Sequence, residues 1–222
     1  MIFEVRGVSK IYKNKQVLRD VNLDADNGCC IGILGGNGAG KSTFLSILAG
    51  IQKPGSGSFT YNGVDLFKNS ASRSAVVGYV PQGTPLIPEL TARDNLLLWY
   101  ENSVMKQELE NGLLKLLGIN EFLNVPVRKM SGGMKKRVSI GCAVSGRPPV
   151  LLLDEPTAAL DLVCKRDIAE YLASYKKAGG IIIMTTHDVA ELEMCDQCYI
   201  MKDGVLQPYT FDGDVNALIE KL

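Results

Sequence analysis

The chain lacks a surplus of charge of either sign. Its 222 residues include 24 Lys and Arg and 24 Asp and Glu, so the formal net charge is +0. A surface that grips a nucleic-acid duplex needs clustered basic residues, and neither end of the sequence carries such a cluster. We therefore expect no nucleic-acid partner.

Long hydrophobic runs are also absent. A run such as Leu96 to Tyr100 contains five apolar residues, whereas a membrane-spanning helix needs roughly 18 or more. Glu4 and Arg6 come too early for the apolar region of a secretory signal. We expect one elaborated domain in the cytoplasm, which could still sit at a membrane through a partner.

Histidine is scarce, and the cysteines lack the spacing of a zinc site. The single C-x-x-C, Cys195 and Cys198, has no second pair, and His187 is the only histidine. A structural zinc site needs about four ligands, so zinc is disfavoured. Cys29 and Cys30 fall in an apolar run, where free cysteine behaves as a small hydrophobic residue. Structural cysteines are therefore favoured over metal-binding or redox cysteines.

A glycine-rich segment is the most informative feature that is present. It lies between the apolar run Cys29 to Leu34 and a helical stretch from Phe44, and its spacing matches a phosphate-binding P-loop. Glycines let backbone N–H groups approach phosphate oxygens, and the helix that follows adds the positive end of its dipole. Lys41 would neutralise the β and γ phosphates, and Ser42 would offer a hydroxyl to Mg²⁺. The segment consists of Gly35, Gly36, Asn37, Gly38, Ala39, Gly40, Lys41, Ser42 and Thr43.

Short apolar runs alternate with helical stretches in the second half of the chain. Val150 to Leu153, Ile181 to Thr186 and Cys198 to Met201 have the pattern of buried parallel strands. A helical stretch from Leu162 to Lys177 separates the first two. The alternation predicts an α/β fold, a P-loop NTPase core with a mainly parallel sheet and ligands at the carboxyl ends of its strands.

Two other regions differ from this core. Residues 1–28 and 56–65 contain short strands joined by turns, which predicts a flanking antiparallel β patch. Residues 85–145 are mostly helical, with predicted helices at Leu96 to Glu101, Gln107 to Leu117 and Lys135 to Val144. We therefore predict one domain over 1–222, in which an α/β core (1–84 and 146–222) carries an inserted helical lobe (85–145).

Two carboxylates follow the strand that begins at Val150. Asp154 is placed to hold the shell of Mg²⁺, and Glu155 is placed to polarise an attacking water as a general base. An acidic pair can also simply cap a strand end. Downstream of a P-loop, the chemical interpretation is favoured.

Other polar residues complete the pattern. A second anion-binding helix terminus is predicted where a serine and two glycines open a helix, although Ser-Gly-Gly is also an ordinary linker. Gln82 ends a possible strand and could contact Mg²⁺ or water, and His187 could bridge the γ-phosphate and Glu155. Tyr12 could stack on a base or be a packed strand residue. The residues of the helix terminus are Ser131, Gly132, Gly133 and Met134.

In this order the motifs resemble the ATP-binding subunit of ABC transporters, over essentially all 222 residues. The resemblance implies ATP and Mg²⁺ as cofactors, with Mg²⁺ held by Ser42, Gln82 and Asp154. It implies that Tyr12 stacks on adenine and that Glu155, His187 and Gln82 are catalytic, as the Walker B base, the switch histidine and the Q-loop. It also implies a signature motif at Ser131, Gly132, Gly133 and Met134 and a D-loop at Asp161.

The resemblance has one clear departure. The family signature is usually Leu-Ser-Gly-Gly-Gln, whereas this chain ends the motif with Met134. The anion-binding serine and glycines are kept, but a ribose contact of the glutamine is put in doubt. The run Ser131 to Arg137 and the segment Leu90 to Asn95 look like those of export-type subunits, so export is favoured.

The resemblance also implies partners. Two ATPase subunits, identical or homologous, would close head to tail, with each P-loop nucleotide capped by the signature motif of the other. Separate transmembrane permease subunits would hold the chain at the inner face of the cell membrane. The residues Leu86, Ile87, Leu96, Leu97 and Trp99 could line a groove for a permease helix, with core packing as the default for each.

Two alternatives stay open at this point. A soluble ABC ATPase of the iron-sulfur assembly type would carry the same motifs without a permease. A GTPase or small-molecule kinase would share the P-loop, but the chain lacks the guanine-reading Asn-Lys-x-Asp motif, and neither class explains Ser131 to Met134.

Overall fold

The computed structural model describes residues 2–158 and 160–221, and within them the strands form two sheets. The strands are β1 (Phe3–Tyr12), β2 (Lys15–Ala25), β3 (Cys30–Leu34), β4 (Ser56–Tyr61), β5 (Val64–Asp65), β6 (Val77–Val80), β7 (Val150–Asp154), β8 (Ile181–Thr185), β9 (Gln197–Lys202) and β10 (Val205–Tyr209). The helices are α1 (Lys41–Leu48), α2 (Ser70–Val76), α3 (Ala92–Leu97), α4 (Asn102–Asn111), α5 (Leu113–Leu116), α6 (Gly132–Ala143), α7 (Leu162–Lys177), α8 (Val189–Glu193) and α9 (Val215–Lys221). Short 3-10 turns occupy Ile119–Phe122 and Val127–Lys129.

The larger sheet places the predicted motifs along one edge. Its order is β10-β9-β3-β8-β7-β6, with all neighbours parallel except β10, which pairs antiparallel with β9. Every residue of β3, β7 and β8 is buried, as expected of strands that are covered on both faces. The carboxyl ends of β3, β6, β7 and β8 therefore lie side by side, where ligands of open α/β sheets bind.

The smaller sheet is antiparallel and has the order β2-β1-β4-β5. Its apolar side chains, with those of α1, pack on one face of the larger sheet, where Val150 and Leu152 point. Leu151 and Leu153 point to the opposite face, into a second cluster that contains residues of α3, α4, α5, α6 and α7. This alternation within β7 means that the larger sheet is the middle layer of the core.

The helices of the 85–145 segment differ in their bounds from those predicted. The predicted start at Leu96 is wrong because α3 begins at Ala92, where Thr91 and Asp94 form a reciprocal capping box. Gly112 separates α4 from α5, and α6 begins at Gly132, since Ser131 caps it. The division into a core and a helical lobe stays a prediction, and residues 1 and 222 lie outside the described residues.

None of the helices in the described part of the chain has both the length and the apolar character needed to cross a membrane.

Candidate functional site

The P-loop joins β3 to α1, and its backbone geometry requires glycine. Gly35 has φ +153°, and a Cβ there would lie 2.2 Å from the carbonyl oxygen of Met201. Gly40 has φ +112°, and a Cβ there would lie 2.8 Å from the carbonyl oxygen of Val17. A side chain at either position would therefore collide with the backbone of a neighbouring strand or turn.

Lys41 is buried at the start of α1, with 6% of its surface exposed. Its Nζ donates to the carbonyl oxygens of Gly35 at 2.5 Å and Gly36 at 3.3 Å, and it lies 3.3 Å from Nε2 of His187. Burial lowers the pKa of Lys41, while the nearby carboxylates of Glu155 and Asp154 act in the opposite direction. The ammonium is thus held within the loop, beside the ring of His187.

A cavity of about 320 Å³ lies over this loop. Its walls contain Val17 and residues from four separate parts of the sequence, and these four parts were predicted to share a site. A Cβ on Gly36 or Gly38 would meet nothing within 4 Å, so the loop is open towards the cavity. The predicted residues in the walls are Tyr12, Gly36, Asn37, Gly38, Ala39, Gly40, Lys41, Ser42, Thr43, Gln82 and Glu155.

Glu155 lies between the two other predicted catalytic residues. Its Oε2 accepts a hydrogen bond from Nε2 of Gln82 at 3.0 Å, and its Oε1 lies 3.5 Å from Nε2 of His187. The carboxylate is largely sheltered, with 18% of the side chain exposed, whereas His187 is 41% exposed. The arrangement suits a general base, because a carboxylate oxygen faces the cavity and two polar side chains fix its orientation.

Asp154 is buried at the end of β7, beside Thr185 at the end of β8. Thr185 donates its hydroxyl to Oδ1 of Asp154 at 2.6 Å, and its Oγ1 accepts from the N–H of Glu155 at 3.1 Å. Thr185 was missed in the sequence. Its signal is a polar residue that ends an apolar strand next to β7, in register with Asp154.

Glu191 was missed as well. It is 7% exposed on α8, accepts a hydrogen bond from the hydroxyl of Thr186, and shares a cavity of about 400 Å³ with Glu155 and His187. Burial raises the pKa of Glu191, and hydrogen bonds from Thr186 and Thr157 oppose the shift. The only sign in the sequence that Glu191 lies near His187 is its position, as a charged residue four places after the histidine.

Tyr12 lies at the rim of the P-loop cavity, at the end of β1. The residue is 41% exposed, its hydroxyl contacts Oε1 of Gln52, and Nζ of Lys10 lies 5.1 Å from the ring centroid. The residue is therefore not a fully packed strand tyrosine, and its ring stays available to a planar group. Its stacking role remains a prediction.

The predicted signature motif is not part of this cavity. Of the residues that the structure describes, Ser131 to Met134 are absent from the cavity walls. Ser131 caps α6, since its Oγ accepts from the N–H of Met134 at 3.2 Å, and Ser131 and Gly132 are exposed. Asp161 caps α7, accepting from the N–H of Cys164 at 2.9 Å, and a Cβ on Gly133 would lie 3.9 Å from its Oδ2. The predicted signature motif and Asp161 thus lie together, outside the walls of the P-loop cavity.

The donor atoms at the P-loop fit a nucleotide with Mg²⁺. The hydroxyl of Ser42, the amide of Gln82 and the carboxylate of Asp154 offer the oxygen ligands that Mg²⁺ prefers. The glycine loop, the buried ammonium of Lys41 and the amino terminus of α1 suit phosphates. No cluster of three or more His, Cys, Asp or Glu in the described residues forms a metal site of another kind.

Comparison with known proteins decides the family. The family described as ABC transporter matches residues 18–158. The chain belongs to the ABC transporter family. An ATP-binding cassette solved as a dimer in a post-hydrolysis state with ADP and phosphate is 28% identical, covers 96% of this chain and 100% of its own, and superimposes with a TM-score of 0.82. The predicted family, fold class and enzyme class, an ABC ATPase, are confirmed.

The curated relatives of this ABC protein include subunits whose names give opposite directions of transport. The Nod factor export ATP-binding protein I of Sinorhizobium fredii is 35% identical over 98% of the chain, which spans 64% of that relative's length. The probable sulfate/thiosulfate import ATP-binding protein of Chlorella vulgaris is 34% identical over 90% of the chain, which spans 87% of that relative's length.

Proposed function

We propose that this chain binds ATP with Mg²⁺ and hydrolyses it to drive solute transport by an ABC transporter. The observation that carries the proposal is the convergence of Gln82, Glu155 and His187 beside the P-loop cavity. A loop that only bound nucleotide would not need a sheltered carboxylate with two orienting partners. A hydrolytic site does, because water must be positioned and deprotonated.

Each side chain has a role that follows from its position. The ammonium of Lys41 binds the phosphates, and Ser42, Gln82 and Asp154 hold Mg²⁺, which when bound neutralises charge on the phosphates. Glu155 accepts the proton of the attacking water, and Gln82 and His187 hold its carboxylate in place. Thr185 orients Asp154 through its hydroxyl, so the two acids keep separate tasks.

A second chain completes the site in this proposal. The amino terminus of α6 includes Ser131, Gly132, Gly133 and Met134, of which Ser131 and Gly132 are exposed, and it suits a phosphate that protrudes from another chain's P-loop. Two copies related by a two-fold axis would form two sites, each with the P-loop of one copy and the signature motif of the other. Asp161 lies beside Gly133 and would join the same contact.

The partners in the membrane are permease subunits, which would place the chain at the inner face of the cell membrane. Trp99, at 65% exposure, and the exposed Ile87 and Leu97 are apolar side chains that a permease helix could cover. Leu96 does not belong to this surface, because it is fully buried in the core. Export stays a prediction, based on Met134 and the residues that follow it.

The test is Glu155→Gln. The amide keeps the size of the side chain but cannot accept a proton, so we expect ATP hydrolysis to fall by about a hundredfold or more. ATP affinity and ATP-dependent dimerisation should persist. Phosphate release measures ATP hydrolysis, titration calorimetry measures ATP affinity, and analytical ultracentrifugation measures dimerisation.

The matched control is Glu193→Gln, which makes the same change at an exposed glutamate of α8. Its hydrolysis rate should equal that of the unaltered protein. Ordinary turnover by the Glu155→Gln protein would refute Glu155 as the base, and failure of the unaltered protein to hydrolyse ATP would refute the proposed function.

A further inference from the structure

Lys136 is a buried lysine on α6 that the proposed chemistry does not use. Only 4% of its surface is exposed. Its Nζ donates to the carbonyl oxygens of Pro81 at 3.1 Å and Gln82 at 3.3 Å. These carbonyls lie more than fifty positions earlier in the sequence, in the loop that follows β6. A single ammonium therefore joins two distant segments.

The two segments belong to different nucleotide sites of the proposed dimer. The loop carries Gln82, whose side chain contacts Glu155 at the chain's own P-loop cavity. The helix carries the signature motif at its amino end, and the N–H of Lys135 donates to the carbonyl oxygen of Ser131 at 3.1 Å. Lys136 is thus little more than one helical turn from the residue that would cap the partner's nucleotide.

The electrostatic setting shows why the ammonium is tolerated. Burial lowers the pKa of Lys136, and the carboxylates of Asp154, Glu155 and Glu191 oppose the shift. A buried ammonium is costly unless it is hydrogen-bonded and close to opposite charge. Both conditions are met here, and two of the three carboxylates are those proposed to hold Mg²⁺ and to act as base.

We propose that Lys136 is a positioning residue that couples the two sites of the dimer, by fastening the Gln82 loop to the helix that presents Ser131. Movement of the Gln82 loop at a chain's own nucleotide is passed to the signature motif that caps the nucleotide of its partner. The inference rests on the proposed function. It adds a specific connection between a chain's own site and the one it completes.

The test uses three changes in the Glu155→Gln protein, in which ATP stays bound. Lys136→Met removes the ammonium and keeps a long unbranched side chain, whereas Lys136→Arg keeps a charged donor. Lys135→Met is the matched control, because it makes the same change at the adjacent, less buried lysine. Two quantities are measured: the ATP affinity of the monomer at low protein concentration, and the dissociation constant of the dimer at saturating ATP.

We expect Lys136→Met to leave the ATP affinity of the monomer within about twofold and to weaken the dimer about tenfold, since the carbonyls of Pro81 and Gln82 lose the ammonium that donates to them. Lys136→Arg should recover most of the dimer affinity, and Lys135→Met should match the Glu155→Gln parent. If Lys136→Met does not fold, Lys136→Gln replaces it in the comparison. Its amide can still donate to one carbonyl, so its dimer affinity should lie between that of Lys136→Arg and the tenfold loss expected for Lys136→Met.

The outcomes separate this inference from the proposed function. A parent that binds no ATP or does not dimerise with ATP would refute the proposed function. A parent that dimerises normally, with a Lys136→Met dimer of unchanged affinity, would refute the coupling role alone. A loss of dimer affinity that only follows a matching loss of ATP affinity in the monomer would also refute it, because Lys136 would then act on its own site.

Discussion

Glu155 shows how a single residue is shaped for its task by its neighbours. Its φ of +48° lies in the left-handed region, which residues other than glycine rarely adopt. Its N–H donates to both the carbonyl oxygen and the hydroxyl of Thr185, each at 3.1 Å. These bonds hold an unfavourable backbone conformation that aims the carboxylate between Gln82 and His187. The residue type is predictable from the sequence, whereas its conformation depends on the adjacent strand.

A pH-dependent prediction belongs to Glu191. Its pKa in the folded protein is raised above the ordinary 4.5, so the folded state binds more protons than the unfolded state above that pH. The contribution of Glu191 to the free energy of unfolding is therefore largest below pH 4.5 and falls as the pH rises through the folded-state pKa. Glu191→Gln cannot titrate. We expect its stability relative to the unaltered protein to increase across this window, as measured by urea unfolding at a series of pH values.

The control for this prediction is Glu193→Gln on the same helix. Its side chain is exposed, and its unfolding curves should run parallel to those of the unaltered protein at every pH. Parallel behaviour of Glu191→Gln itself would contradict the assignment of the raised pKa.

Among the elements, the parallel sheet brings the residues of the candidate site together at the ends of its strands. Asp154 pairs with Thr185 across β7 and β8, and Cys30 to Ile33 pair with β8 on its other side. Apolar runs followed by polar residues are enough to predict that these ends share an edge. They are not enough to predict that β8 separates β3 from β7, because strand order depends on crossovers and not on local pattern.

The start of α3 is set by a capping box. α3 begins at Ala92 because the hydroxyl of Thr91 accepts from the N–H of Asp94 at 3.1 Å and the carboxylate of Asp94 accepts from the N–H of Thr91 at 3.2 Å. A serine or threonine followed three positions later by an acid is a readable signal. The apolar residues from Leu96 onward drew the predicted start four residues too late.

Removing this cap should measurably weaken the protein. We expect Thr91→Ala to lower the free energy of unfolding by about 1 kcal/mol, the usual effect of losing a helix cap. Thr91→Ser keeps the hydroxyl and should cost much less. Urea unfolding checks both values, and equal losses in the two variants would mean that the methyl group, not the cap, matters.

In the molecule as a whole, the two candidate functional surfaces are separate. The P-loop cavity and the exposed start of α6 do not share walls in the described residues. In the proposed dimer each surface serves a different site. A chain alone would then bind ATP and hydrolyse it poorly.

Mixed dimers test this arrangement. Lys41→Ala disables the P-loop of a chain, and Ser131→Arg blocks its signature motif, so each variant alone should be inactive. When the two are mixed, a dimer of unlike chains has one intact site, and random pairing should restore about a quarter of the normal ATPase rate. The rate of the mixture, compared with that of each variant alone, is the measurement.

Absence of any recovery would show that both motifs act within one chain, provided that each variant still forms dimers by ultracentrifugation. The control for protein concentration is the Lys41→Ala protein alone, at the total concentration of the mixture.

The family, the phosphate loop and the residue types proposed for catalysis can be read from the sequence, because these depend on spacing along the chain. Which side chains meet depends on the folded chain. Thr185 beside Asp154, Glu191 in one cavity with Glu155, and Lys136 bonded to the Gln82 loop each bring together segments that are far apart in sequence. Burial and strand order create these contacts, and no local pattern encodes either of them.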